Sequence, residues 1–183
     1  MARYIAFLRA INVGGHVVKM DKLRGLFEDL GFSQVETFIQ SGNVIFDSPA
    51  RKGSALESKI EQHLQQALGY EVITFVRTVP ELIVVAQLDP FKGADSDPEA
   101  TLYAAFLKQA PGQEAQRKLL SLKTEYDDFY VYQREAYWLR RQREGSVFSG
   151  AFLEKALSAP ATMRNLTTVR KIVAKYPAQG KNP

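Results

Sequence analysis

Apolar and polar positions along the chain recur with two spacings, and the alternation between them lays out strands and helices. Residues 3–9, RYIAFLR, are dense in strand formers. From 20 to 30, Met20, Leu23, Phe27 and Leu30 fall on one helical stripe and Gly31 supplies a stop. VETFIQ (35–40) and NVIFD (43–47) read as strands, with Ser41-Gly42 as a tight hairpin turn between them. A helix over 54–68 puts Leu56, Ile60, Leu64 and Ala67 on its inner face and stops at Gly69. EVITFVRT (71–78) is a further strand. The first half therefore reads β-α-β-β-α-β, the split ferredoxin-like pattern.

A short helix over 80–87 follows, and then DPFKGADSDPE (89–99), whose two prolines, glycine and acids mark a linker. The pattern then restarts. TLYAAFLK (101–108) predicts a strand and GQEAQRKLLSL (112–122) a helix. DFYVYQ and AYWLRR predict a hairpin around Arg134-Glu135, and SGAFLEKAL (149–157) a helix. The second half ends in a helix over about 165–176 where a final strand would stand. The expected fold is α+β: two ferredoxin-like (βαββαβ) subdomains in tandem, with antiparallel sheets and a C-terminal helix. The expected bounds are 1–88, a linker over 89–100, and 101–183.

Composition narrows the chemistry. The chain has 183 residues, 45% apolar and 24% charged, with 24 Lys plus Arg against 20 Asp plus Glu and a net charge of +4. That suffices for a sizeable core and is only mildly basic, permitting an anionic ligand without requiring one. There is no cysteine, which excludes disulfides, thiolate metal sites and cysteine nucleophiles. The apolar run after Arg3 is broken at Arg9, too early for a signal peptide, and no run is long enough to span a bilayer. The expected location is the cytoplasm.

The stretch FLRAINVGGHVVKMDKL (7–23) places an arginine, an amide and two glycines where a strand hands over to a helix. In an antiparallel ferredoxin-like sheet the exit of strand one lies beside the tip of the following hairpin. Arg9, Asn12, Gly14, Gly15, Gln40, Ser41 and Asn43 should then converge, on loops held by a rigid scaffold. Glycines at positive φ turn successive N–H groups toward one concavity that suits phosphate or carboxylate. The motif lacks a Walker pattern and the spaced glycines of a dinucleotide fold. A turn with no ligand explains the same residues. The third stretch is PATMRNLTTVRKIVAKY (160–176), where Thr162 would cap a helix with Leu166, Val169, Ile172, Val173 and Tyr176 on its apolar stripe. Arg164 and Asn165 would sit at its start and Thr168, Lys171 and Lys175 on its polar face. All three stretches are expected around one electropositive hollow.

Other chemistry is thinner. His16 and His63 are far apart, and His16 is the one base to test if the protein is an enzyme acting on a phosphorylated metabolite. Asp127-Asp128 begins a strand and reads as a turn rather than a catalytic pair, and Glu28 reads as a solvated residue. No metal-ligand spacing stands out, and no cofactor is expected. The hairpin over 129–143 carries Arg134, Arg140, Arg141 and Arg143 beside Tyr132, Tyr137 and Trp138, an arrangement that could clamp single-stranded nucleic acid. A hairpin with its aromatics in a core and its arginines in water is the preferred reading. A purely structural or oligomer-forming protein would bury the polar blocks as satisfied turns.

FLRAINVGG, FIQSGNVIF and PATMRNLTTVRKI closely resemble, in order and spacing, the bacterial family known as domain of unknown function (DUF) 1697. The resemblance runs from residue 3 to about 175. The family's Arg, Asn and paired glycines correspond to Arg9, Asn12, Gly14 and Gly15. Its Gln-Ser-Gly-Asn turn corresponds to residues 40–43. Its late motif corresponds to Thr162, Arg164, Asn165, Thr168 and Val169. The resemblance implies an α+β fold with two ferredoxin-like halves and implies no activity. EGSVFSGAFLEKAL departs from the Gly, aromatic, Ser and Lys string that relatives carry before the penultimate helix. The functional expectation is a protein binding a small anionic ligand, phosphate- or nucleotide-like, in a polar cleft.

Overall fold

Strand β1 (Ala2–Leu8) is apolar from Tyr4 to Leu8, and all five of those residues are buried. A run this continuous suits a strand covered on both faces, and β1 takes an interior position in its sheet. The computed structural model describes residues 1–177 apart from Val13, Gln40, Ser41, Arg51, Asp95, Ser96 and Arg143. After β1 come α1 (Met20–Glu28), β2 (Ser33–Thr37), β3 (Asn43–Ser48), α2 (Gly53–Leu68) and β4 (Thr74–Thr78). The sheet order is β2-β3-β1-β4, with every neighbouring pair antiparallel. Tyr4, Ala6 and Leu8 face the helices and share a core with Leu23, Phe27, Phe46, Leu56, Ile60 and Leu64. Ile5 and Phe7, on the opposite face, are also fully buried.

The chain divides into two compact units, Met1–Leu82 with the residues from Tyr176 onward, and Ile83–Lys175. The division falls within α3 (Val79–Gln87). The second unit contains β5 (Thr101–Phe106), α4 (Gln113–Leu120), β6 (Asp127–Tyr132), β7 (Glu135–Arg140), α5 (Gly150–Leu157), β8 (Thr162–Asn165) and α6 (Leu166–Lys175). Its sheet order is β6-β7-β5-β8, again antiparallel throughout. Ala105, Leu107, Leu119, Phe129, Trp138, Leu153 and Leu157 form its core. Among the described residues the architecture is thus α+β, with two four-stranded antiparallel sheets and six helices.

Three local expectations change. The second half does have a final strand: residues 162–165 pair with β5, so Thr162 is a strand residue and not a helix cap. Asn165 takes the cap, its Oδ1 accepting from Thr167 N–H at 2.8 Å. Arg164, expected near a solvated helix start, is buried, because alternate residues of β8 point inward. The turn between β2 and β3 is longer than a two-residue hairpin. β2 ends at Thr37, and Phe38 N–H reaches Asn43 O at 2.9 Å across the intervening residues.

In α2, Leu56, Ile60 and Leu64 are buried as expected, while Ala67 is exposed and Glu57 is buried instead. The cause lies on the outer edge of β4. The N–H groups of Thr74, Val76 and Thr78 donate to Glu61 Oε1 (2.8 Å), Glu57 Oε1 (2.8 Å) and Glu81 Oε2 (2.7 Å). Two residues of strand advance about 6.8 Å and four residues of helix about 6 Å, so carboxylates one turn apart match alternate strand amides. An edge strand otherwise offers such groups to other chains. Glu81 also closes a capping box on α3, since its N–H donates to Thr78 Oγ1 at 3.3 Å. Glu57→Ala strands the buried Val76 N–H and should cost about 2 kcal/mol, lowering the melting temperature by about 4–8 °C. Glu57→Gln keeps an acceptor and should lose less than half as much; equal losses in the two thermal melts would show that the hydrogen bond is not what matters.

Candidate anion-binding site

The exit of β1 is held from both sides. Leu8 N–H donates to Gly42 O and Arg9 N–H to Ile73 O, each at 2.8 Å, and Phe7 lies opposite Asn43. The structure therefore brings the start of the 9–19 loop alongside the turn before β3, as the strand order requires. Gln40 and Ser41 lie outside the described residues. Gly42 sits at φ +71°, and a Cβ there would come within 2.9 Å of Ile11 Cγ2 and 3.1 Å of Leu8 Cβ. Asn43 is fully buried, and its Nδ2 donates to Phe38 O at 2.9 Å, stapling the turn.

The loop itself is braced at both ends. Asn12 is exposed, and its Oδ1 accepts from Val18 N–H at 2.8 Å, closing the segment between them. Tyr70 OH donates to Ile11 O at 2.9 Å, and burial pushes the Tyr70 phenol pKa up. The exposed His16 ring stacks on Tyr70 with centroids 4.0 Å apart and planes 21° from parallel. Gly14 and Gly15 both have positive φ, +66° and +85°. The backbone N–H groups of Gly14, Gly15, His16 and Val17 donate to no described residue. Arg9 is half-buried at the base of this loop. Ala10 (φ 59°) and Ile39 (φ 60°) are also left-handed, which is costly for a residue with a Cβ and most of all for β-branched Ile39.

Thr162, Arg164 and Asn165 belong to the second unit. Arg164 Nη1 donates to Thr162 Oγ1 and to Met163 O, both at 2.8 Å, and burial lowers its guanidinium pKa to about 10. In the first unit the sequence reading missed Arg77, which is buried on β4 and donates through Nη1 to Val76 O at 2.9 Å. Arg77 lies opposite Ile5, and Arg164 lies opposite Ala104. Only strand alternation, with Arg77 in phase with Phe75, could have flagged it.

In the basic hairpin Tyr137 and Trp138 are inside, while Tyr132 is half-buried and Tyr130 exposed. Tyr137 is fully buried with its OH donating to Val85 O (3.2 Å), and burial raises its phenol pKa. Trp138 stacks on Tyr103 (4.8 Å) and donates Nε1–H to Asp127 at 2.7 Å. Arg140 lies over both rings and donates to Tyr103 OH at 2.8 Å, and Arg141 reaches Asp128 at 3.5 Å. Arg143 lies outside the described residues. Asp127 opens β6, as expected of a residue beginning a strand; it is buried and also accepts from Ser146 Oγ at 2.6 Å.

Two depressions mark the first unit. One of about 470 Å³ lies between Leu30, Phe32, Ala50 and Lys59, and one of about 270 Å³ lies beside Arg3, Thr78 and Pro80. Neither is lined by Arg9 or the 12–17 loop. Among the described residues no group of three or more His, Cys, Asp or Glu could hold a metal, and no helix is long and apolar enough to cross a membrane. Gly42→Ala should cost about 2 kcal/mol or more, since it adds a clash to the left-handed strain, against about 1 kcal/mol for Gly31→Ala, where only strain applies. Equal losses in chemical denaturation would contradict the close packing of the turn on Ile11 and Leu8.

The family model described as protein of unknown function (DUF1697) matches residues 1–137. No curated protein matches the sequence. Among solved structures, a conserved bacterial protein from Streptococcus pneumoniae is similar with a TM-score of 0.75 at 24% identity, over 96% of this chain and 98% of its own. At that identity the likeness is one of fold.

Proposed function

The chain belongs to the DUF1697 family of proteins of unknown function, and on that premise we propose that its first unit binds a small phosphate- or nucleotide-like anion at the loop between β1 and α1. The observation that carries this reading is the run of four backbone N–H groups, Gly14 to Val17, that no described residue accepts, on a loop turned by two left-handed glycines. Turns of this kind aim amides at an anion, and backbone strain held in place by packing is commonest at functional sites. In this reading Arg9 supplies charge, Gly14 and Gly15 supply the amides, and Asn12 fixes the loop. Asn43 holds the neighbouring turn, with Gln40 and Ser41 beside it in sequence. Thr162 and Arg164 belong to the framework of the second unit and Asn165 to the cap of α6.

We also read the two units as ferredoxin-like and as a tandem repeat. Three features support it: the shared β-α-β-β-α-β-α order, the shared strand order, and the match of Tyr4–Arg9 (YIAFLR) to Tyr103–Lys108 (YAAFLK). In that register Arg77 and Arg164 are equivalent, as are Thr78 and Asn165, the residues that cap α3 and α6.

A thermal-shift titration with inorganic phosphate, at constant ionic strength against chloride, tests the site. Phosphate at about 100 times its dissociation constant should add about 2.7 kcal/mol of stability, a rise of about 5–11 °C. Arg9→Ala and Gly15→Ala should each remove most of that rise relative to their own ligand-free melting temperatures. A rise that survives in both variants, or no rise in the wild type, would overturn the assignment.

A further inference from the structure

Resting on that anion-binding reading, we propose that the ligand carries a planar heteroaromatic ring as well as a phosphate, in the manner of a nucleoside monophosphate, and that the ring stacks on His16. His16 directly follows Gly15, so its ring is attached to the same backbone whose amides would hold the phosphate. An exposed histidine on a loop ordinarily samples several rotamers. Here one face of the imidazole lies on Tyr70 at 4.0 Å, which leaves the other face toward solvent because the residue is exposed. Tyr70 is itself fixed, through its hydroxyl on Ile11 O.

The result is a two-ring stack whose ordering cost is met before any ligand arrives, which favours binding of a third ring. A base stacked on an aromatic side chain is worth about 1–3 kcal/mol, and it needs no base-specific hydrogen bond. Val17, next in the chain, is 83% exposed, an aliphatic side chain with little burial in its own fold. Inorganic phosphate or a sugar phosphate would use the amides and Arg9 alone and leave the ring face wet.

Calorimetric titration of the full chain with inorganic phosphate, ribose 5-phosphate and adenosine 5′-monophosphate separates the two readings. The nucleotide should bind roughly tenfold or more tightly than ribose 5-phosphate, the equivalent of about 1.4 kcal/mol. His16→Ala should bring the nucleotide down to the level of the sugar phosphate, and His16→Phe, which keeps a flat ring, should restore the difference. Equal binding of nucleotide and sugar phosphate by the wild type, or a preference that His16→Ala leaves intact, overturns the ring platform while the anion site stands. Failure of all three ligands to bind overturns both.

Discussion

Two backbone hydrogen bonds, Leu8 N–H to Gly42 O and Arg9 N–H to Ile73 O, decide where the candidate site stands. They bind the last residues of β1 to the turn before β3 and to the approach to β4, so the chain leaves the sheet at a fixed point and in a fixed direction. Everything after Arg9 inherits that geometry: Ile11 reaches Gly42 and Tyr70, Asn12 brackets the loop, and the two glycines turn at its tip. A strand with only one of these partners would fray at its end, and the loop would carry no defined shape.

The same economy of backbone pairing appears at the outer strands. On β4 three successive outward amides meet Glu61, Glu57 and Glu81, and before β8 the amide of Ala161 meets Glu154 Oε1 at 2.8 Å. Glutamates that look solvated by composition are thus held by the sheet edge. The buried arginines follow a related rule. Arg77 and Arg164 each turn Nη1 back on the carbonyl of the preceding residue, satisfying part of the guanidinium within the strand itself. Burying such a group without partners would be prohibitive, so these contacts explain how a charged residue stays in the sheet.

The hairpin over 129–143 shows why side-chain inventory alone misleads. Arginines interleaved with aromatics suit a nucleic-acid clamp, yet β7 is buried on both faces, so the adjacent Tyr137 and Trp138 point to opposite sides of the sheet and are both inside, and Arg140 is drawn over the rings of Tyr103 and Trp138. Burial of both faces of β7, which a list of side chains does not reveal, separates the two outcomes.

Periodicity alone located every helix and seven of the eight strands of the described residues, because hydrophobic spacing is a local property that burial enforces. The strand it missed, β8, is four residues long with three of them polar, and it exists because β5 has an unfilled edge; no local signal announces that. The sequence likewise singled out Arg9, Asn12, Gly14 and Gly15 as chemically unusual for a strand exit, and the strand order that follows from β-α-β-β-α-β accounts for the neighbouring turn. Tertiary structure alone decided which polar atoms are spent: Asn43 on Phe38, Asn165 on Thr167, Asp127 on Trp138 and Ser146, Tyr70 on Ile11. Hydrogen bonding is directional and short-ranged, so which partner a side chain meets depends on ångström-scale placement across residues distant in the chain, and that placement is set by packing.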